Sequence, residues 1–306
     1  MTANAAVFPG QGAQEVGMGQ DVAQAHTVAA DTYAQADEVL GFELSRLCFD
    51  GPADRLNATD IQQPAIFVTS VALFRAGLDC GKFRLEHFAA MGGLSLGEYT
   101  ALHLAGSLPF DAALRLVYRR GRLMQQAAQQ SPGGMVSLMG LDEAQVLALC
   151  ERVSQAGQVR AANFNCPGQI VVSGDKPACD ALVTAADSAG GRAVPLDVAG
   201  AFHSDLMRPA AEALRETLAA SDFRPPKVRV IANVNAEYHQ DAAQIRESLY
   251  LQVFNPVRWQ ACVERLLADG CTHFWEIGPK RVLTGLLRKI NRQAQATNIG
   301  KEADLT

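Results

Sequence analysis

Phe88-Ala-Ala-Met-Gly-Gly-Leu-Ser-Leu-Gly-Glu-Tyr-Thr-Ala-Leu102 joins an apolar run to a helical pattern through Gly93-Leu-Ser95-Leu-Gly97. A Gly-x-Ser-x-Gly turn of this kind is a nucleophile elbow: the serine sits on a strained strand-to-helix connection, and the residues beside it must be small. The turn lifts the hydroxyl out of the sheet. It also leaves the backbone N–H of Leu96 at a helix N-terminus, where it can meet a developing oxyanion. The plainer alternative is a tight strand–helix junction whose serine only caps the helix. With 26 glycines in 306 residues, the pentapeptide needs support from the rest of the chain.

The totals narrow the field. A chain of 306 residues, 48% hydrophobic and 19% charged, can bury a large core and carry a second, smaller unit. A formal net charge of -5 argues against nucleic acid or an anionic membrane as the main partner. No apolar run is long enough to span a bilayer. The N-terminal stretch has no export character, so a cytoplasmic protein is expected. The 7 cysteines are scattered without a Cys-x-x-Cys pair and read as reduced, mostly buried thiols. The 6 histidines show no metal-ligand spacing.

Outward from the elbow, Ala5–Phe8 reads as a buried strand running into the tight loop Pro9-Gly-Gln-Gly-Ala-Gln14, placed where open α/β sheets carry their sites. A helix is expected over Asp21–Leu40, stopped by Gly41, and another opening at Gln63-Pro64 with proline in its first turn. The elbow helix runs from Leu96 to about His103, and a long helix covers Asp111–Gln129. Between Gly133 and Val198 the order is strand, helix, strand, strand, helix, strand, the split unit of ferredoxin-like domains. The predicted architecture is therefore α/β: a large, α/β-hydrolase-like domain with a parallel sheet (1–131 and 198–306) and an inserted ferredoxin-like βαββαβ subdomain (132–197). Beyond it, the sequence predicts a helix over Leu206–Ala220, a strand Val228–Ala232, a helix opened by Asn255-Pro256, a strand His273–Ile277 and a helix Arg281–Ile290. The polar tail after Asn291 reads as frayed.

A serine hydroxyl needs a base. His203 is the best candidate, because it stands in the Gly/Ala-rich loop Ala199–Asp205. His26, His103 and His273 fall inside helix or strand patterns and read as structural, while His87 and His239 read as solvent-facing. Arg119 and Arg120, followed by Gly121, lie on the long helix; either they face solvent or one clamps an anion, for which a planar guanidinium is suited.

These pieces stand in the order of a known family. Phe8-Pro-Gly-Gln-Gly-Ala-Gln14, Gly93-Leu-Ser-Leu-Gly-Glu98, Arg120-Gly121 with Met124-Gln125, Asn163-Phe-Asn165, Gly200-Ala-Phe-His-Ser204, Asn255-Pro-Val-Arg-Trp259, and Gly278-Pro279 ahead of Val282-Leu-Thr-Gly together resemble malonyl-CoA:acyl-carrier-protein transacylases of type II fatty acid synthesis. The match runs from about Val7 to Ile290. The resemblance implies Ser95 as acyl-accepting nucleophile and His203 as its general base. No carboxylate completes the pair; a backbone carbonyl near Gln252 orients the imidazole. It further implies an oxyanion hole from the N–H groups of Gln11 and Leu96, Arg120 on the malonyl carboxylate, and Gln63 lining the same pocket. Ala201-Phe202-His203 is similar to the malonyl-selective form of the related polyketide acyltransferase motif, which places the Phe202 ring beside the acyl group.

Two positions depart from the family pattern. Leu94 stands where histidine commonly precedes the serine, as in one branch of the family, and Lys280 replaces a common glycine, which bears on a turn. The implied partners are malonyl-CoA and the phosphopantetheine arm of acyl carrier protein, with no nucleic acid, membrane, metal or redox cofactor. A monomer is expected. Rival readings are an acyltransferase serving a polyketide synthase, a hydrolase of stalled acyl groups, and a non-catalytic carrier-protein docking module. The last would be free to lose Ser95, His203 and Arg120.

Overall fold

The computed structural model describes residues 3–306. Among the described residues nine strands are formed: β1 Ala3–Phe8, β2 Phe88–Gly93, β3 Gly133–Met139, β4 Val159–Cys166, β5 Gln169–Asp175, β6 Arg192–Pro195, β7 Arg229–Val230, β8 Cys271–Ile277 and β9 Gln295–Ile299. They make two sheets, one ordered β7-β2-β1-β8-β9 and the other β4-β5-β3-β6. Every pairing in the first is parallel and every pairing in the second antiparallel.

Parallel strands are buried on both faces, and β1 accordingly is apolar over its buried part, Ala5 to Phe8. Ala6 and Phe8 point into the main core, while Ala5 and Val7 point into a second cluster with Trp259, Val263 and Leu283, following the period-2 alternation of a strand. The helix Thr59–Asp79 buries nearly every residue, as expected of a helix that is apolar all round. It packs along Phe110–Gln130 and Thr27–Leu40. The antiparallel sheet has its own core, in which Val136, Leu138 and Val172 meet Leu149 and Leu182 of the helices Glu143–Val153 and Lys176–Ser188. Both helices start on an aspartate that accepts from the backbone: Asp142 from Gln145 N at 2.8 Å and Asp175 from Ala178 N at 3.1 Å, a cap the chain signals openly. The opposite face of this sheet, through Met135, Ala162 and Val171, belongs to the main core. Phe164 N donates to Val257 O at 2.9 Å, and Val257 N to Ala162 O at 2.8 Å, tying β4 to the segment that leads into the helix Trp259–Ala268.

Several elements differ from the sequence reading. The expected helix Asp21–Leu40 is two, Gln20–Ala25 and Thr27–Leu40, because His26 is extended (φ -126°, ψ 115°); Gly41 does stop the second in the left-handed region (φ 75°). Pro64 lies inside the helix Thr59–Asp79 and not in its first turn; it leaves the carbonyl of Asp60 without its usual helical donor. The expected strand Val228–Ala232 shrinks to Arg229–Val230, with Ile231 bridging Tyr238. The helix placed at Asn255-Pro256 begins at Trp259.

The tail is not frayed. Its residues Gln295–Ile299 form β9, parallel to β8, and Ile299 and Leu305 are buried. An edge strand needs only backbone pairing on one side, so polar side chains do not exclude it. Three helices, Leu44–Asp50, Ala53–Leu56 and Ala242–Gln252, are not anticipated by the sequence reading, and the last is the longest. Its signal was available: Asp241 accepts from Gln244 N at 2.9 Å, an Asp-x-x-Gln start that sequence alone can display.

Candidate active site

The elbow is built where β2 ends. Ser95 follows at φ 52°, ψ -97°, a region costly for a residue with a side chain. It occupies the N-cap position of the helix Leu96–Leu104 but makes no side-chain cap, which removes the plainer reading of this serine. Gly97 is required by close approach: a Cβ there would fall on the carbonyl of Phe8 at the end of β1. The N–H of Ser95 donates to Asn233 Oδ1 at 2.7 Å, and Asn233 Nδ2 donates back to Gly93 O at 2.9 Å. Asn233 thus clamps both sides of the elbow, a task that no local pattern announced.

His203 reaches the serine from the loop after the small sheet, itself in the left-handed region at φ 59°. Its Nε2 lies 2.9 Å from Ser95 Oγ and its Nδ1 2.7 Å from the carbonyl of Gln252. A carbonyl only accepts, so Nδ1 carries the proton and Nε2 presents its lone pair to the hydroxyl. Burial, with the Arg120 charge added to it, pulls the imidazole down to about 4. At neutral pH it is an unprotonated base.

Arg120 is 1% exposed and sits on the helix Phe110–Gln130, whose next residue, Gly121, passes so close to the backbone of Thr59 that a Cβ would collide with it. Its Nη1 donates to Gln63 Oε1 at 2.7 Å; its Nη2 donates to Ser95 Oγ at 2.8 Å and to Gln252 Oε1 at 3.1 Å. It also lies over the Tyr99 ring, 5.1 Å from the centroid. All three hydrogen-bond acceptors are neutral. Burial lowers the guanidinium's proton affinity, partly offset by Tyr99 and Glu98. A buried cation beside a nucleophile, hydrogen-bonded only to neutral groups, has the chemistry to receive an anion. Arg119, by contrast, is exposed.

A cavity of about 190 Å³ opens over the serine, lined among others by Gln11, Leu94, Ser95, Met124, Phe202 and His203. Asn163 and Asn165 of β4 and Val282 and Leu286 of the helix Val282–Ile290 complete its wall. Neither Gln63 nor Arg120 lines it; both are buried behind its wall and bonded to each other, and Arg120 meets the site at Ser95 Oγ. The N–H groups of Gln11 and Leu96 have no hydrogen-bond acceptor among the described residues. A larger surface cavity, about 680 Å³, lies at the far end of the small sheet between Gly157–Arg160 and Ser204–Leu206 and includes none of Ser95, His203 or Arg120.

Other expectations change in detail. His239, expected to face solvent, is buried and hydrogen-bonded through Nε2 to Glu98 Oε1 at 2.8 Å; its polar neighbours Glu237 and Gln240 are indeed exposed, while His239 itself turns inward beside the Ile231–Tyr238 bridge. Lys280 takes a left-handed conformation (φ 63°), which explains why glycine suits that place. It also does more than shape a turn: its Nζ donates to Gly12 O at 3.0 Å, bracing the loop that carries Gln11.

Residues 6–303 match the acyl transferase domain family. The chain is 42% identical to the malonyl CoA-acyl carrier protein transacylase of Salmonella typhimurium, over 100% of this chain and 98% of that protein. It superposes with a TM-score of 0.96 and 41% identity on a malonyl-transacylase solved in complex with a type II polyketide acyl-carrier protein, covering 99% and 98% of the two chains. An acyl-carrier-protein S-malonyltransferase of Burkholderia pseudomallei gives a TM-score of 0.94 at 39% identity, covering 99% and 98%. Among the described residues no helix is long and apolar enough to cross a membrane.

Proposed function

Taking as premise that the chain belongs to the acyl transferase domain family, we propose the following division of labour among its residues for malonyl transfer. The enzyme moves the malonyl group from malonyl-CoA to the phosphopantetheine thiol of acyl carrier protein through a malonyl-serine intermediate, supplying fatty acid elongation in the cytoplasm. His203 Nε2 takes the Ser95 proton as Oγ attacks the thioester carbonyl. The N–H groups of Gln11 and Leu96 receive the oxyanion, each worth about 3 kcal/mol in the transition state. As the tetrahedral centre collapses, the imidazolium returns its proton to the departing CoA sulfur. The malonyl carboxylate meanwhile rests on Arg120. The carrier-protein thiol then attacks the ester, His203 takes its proton, and Ser95 leaves reprotonated.

The single observation that carries this reading is Arg120, buried and hydrogen-bonded only to neutral groups, 2.8 Å from Ser95 Oγ. Such a group favours an acyl donor that brings its own negative charge. Intact-mass analysis with malonyl-CoA tests it: one malonyl mass should appear on the fragment containing Ser95 and vanish on adding carrier protein. A label on a cysteine, or one surviving in Ser95→Ala, overturns the assignment. The likeness to a transacylase solved with a polyketide carrier protein favours one second reading, service to such a carrier, which a panel of carrier proteins resolves.

A further inference from the structure

Beneath the elbow, outside the acyl cavity, lies a closed polar cluster to which the transfer steps assign no role. Glu98, in the first turn of the helix Leu96–Leu104, is fully buried. Its Oε2 accepts from Asn233 N at 2.9 Å and from Gln252 Nε2 at 2.7 Å, and its Oε1 accepts from His239 Nε2 at 2.8 Å. All three partners are themselves buried. A buried carboxyl group with every contact a donor is a fixed acceptor, and its neighbours must orient to suit it.

Gln252 is the neighbour for which orientation matters. Its Nε2 donates to Glu98 Oε2 and, at 2.9 Å, to Ser95 O, while its Oε1 accepts from Arg120 Nη2 at 3.1 Å. Turned over, the amide would set its oxygen against two acceptors and its nitrogen against a guanidinium donor. Glu98 Oε2, together with the Ser95 carbonyl, therefore fixes which end of the Gln252 amide meets Arg120. The same residue's backbone carbonyl holds His203, but that contact does not depend on the amide.

We propose that Glu98, braced by His239, is a positioning residue that locks the Gln252 amide and thereby aims Arg120 at the acyl carboxylate, so that the preference for a carboxylated substrate is set from beneath the site. The proposal rests on Arg120 as carboxylate receptor. Its signature is a change in selectivity, which a merely structural role would not produce.

The test compares kcat/KM for serine acylation by malonyl-CoA and by acetyl-CoA in wild type, Glu98→Met, Glu98→Gln and Arg120→Ala, with far-UV circular dichroism to establish folding. Glu98→Met keeps the volume and removes both acceptors; it should lower the malonyl/acetyl ratio by more than twofold, and by no more than Arg120→Ala does. Glu98→Gln can still place its oxygen on Asn233 and Gln252 and turn its amide nitrogen to His239, whose proton moves to Nδ1; it should recover the ratio to within twofold of wild type. A ratio within twofold of wild type in Glu98→Met, a drop there larger than in Arg120→Ala, or no recovery in Glu98→Gln overturns the proposal. If the ratio holds in Arg120→Ala, the carboxylate reading itself falls; if it drops there and holds in Glu98→Met, only the role of Glu98 falls. Should Glu98→Met not fold, His239→Leu removes the brace and leaves the carboxyl group, and the same outcomes apply to it.

Discussion

Replacing Arg120 by alanine isolates the charge that the site holds ready. In the free protein the side chain makes bonds of 2.7, 2.8 and 3.1 Å to Gln63, Ser95 and Gln252 and is 1% exposed, so a malonyl carboxylate bound to it loses its water. Removing one partner of such a pair strands the other, at a cost of about 2–5 kcal/mol. At about 1.4 kcal/mol per tenfold, malonyl acylation should slow roughly 30- to 4,000-fold. Acetyl-CoA has no carboxylate to strand. It loses only the guanidinium's bond to the nucleophile, worth about 1 kcal/mol, or roughly fivefold. The malonyl/acetyl ratio of kcat/KM, read by quenched-flow mass spectrometry of the acyl-enzyme, should thus fall at least about fivefold and up to several hundredfold by these two estimates. Equal losses for both thioesters would refute the reasoning and make Arg120 a structural residue. Arg119→Ala is the internal comparison: that side chain is exposed and should change neither rate by more than about twofold.

Three further outcomes are expected. The imidazole of His203 is held down to about 4 by burial and by Arg120, and only its neutral form is a base; kcat/KM should stay on its plateau as pH falls through 6.5 and drop only near 4, and Arg120→Ala should move that limb upward. An acid limb near 6.5 in the folded wild type would contradict the buried, cation-flanked base. Phe202 is buried and lines the cavity beside His203, so Phe202→Ser should narrow the preference for malonyl- over methylmalonyl-CoA within the roughly 10–200-fold that one methyl group commands; an unchanged ratio in a competition assay leaves Phe202 as packing alone. Removing residues 292–306 should lower the urea midpoint, because Ile299 and Leu305 are buried and each contributes about 1.5–3 kcal/mol on that account; an unshifted midpoint would mean the tail adds nothing to the fold.

What the chain announces by itself is whatever depends on neighbours in sequence. Strand and helix periods, the glycines around Ser95 and the aspartate caps act within a turn or two of the backbone, so the α/β class, the elbow and the βαββαβ order of the small sheet are legible without coordinates. The polar β9 escapes for the same reason: it is a strand only because β8 is there to pair with, which no local pattern records, and the extent of β7, expected longer than its two residues, is likewise set by its parallel neighbour.

The site divides along the same line. Ser95 is marked by its own turn and His203 by its Gly/Ala-rich loop, whereas only the family likeness chooses Arg120 over Arg119. Their meeting is tertiary: Ser95 and His203 are 108 positions apart, and Ser95 and Asn233 are 138 apart. Glu98 shows in its own stretch only an acid's place in a first helical turn, and His239 reads as a surface residue. Whether a carboxyl group there faces water or becomes the fixed acceptor of a buried network depends on what packs over it. That is decided by the helix Ala242–Gln252 and by the return of the chain through Asn233–His239, folding onto an element more than 130 residues earlier. Sequence determines which backbone shapes and buried faces are available; only the packing of distant segments determines which polar atoms lose water together, and so which of them become a site.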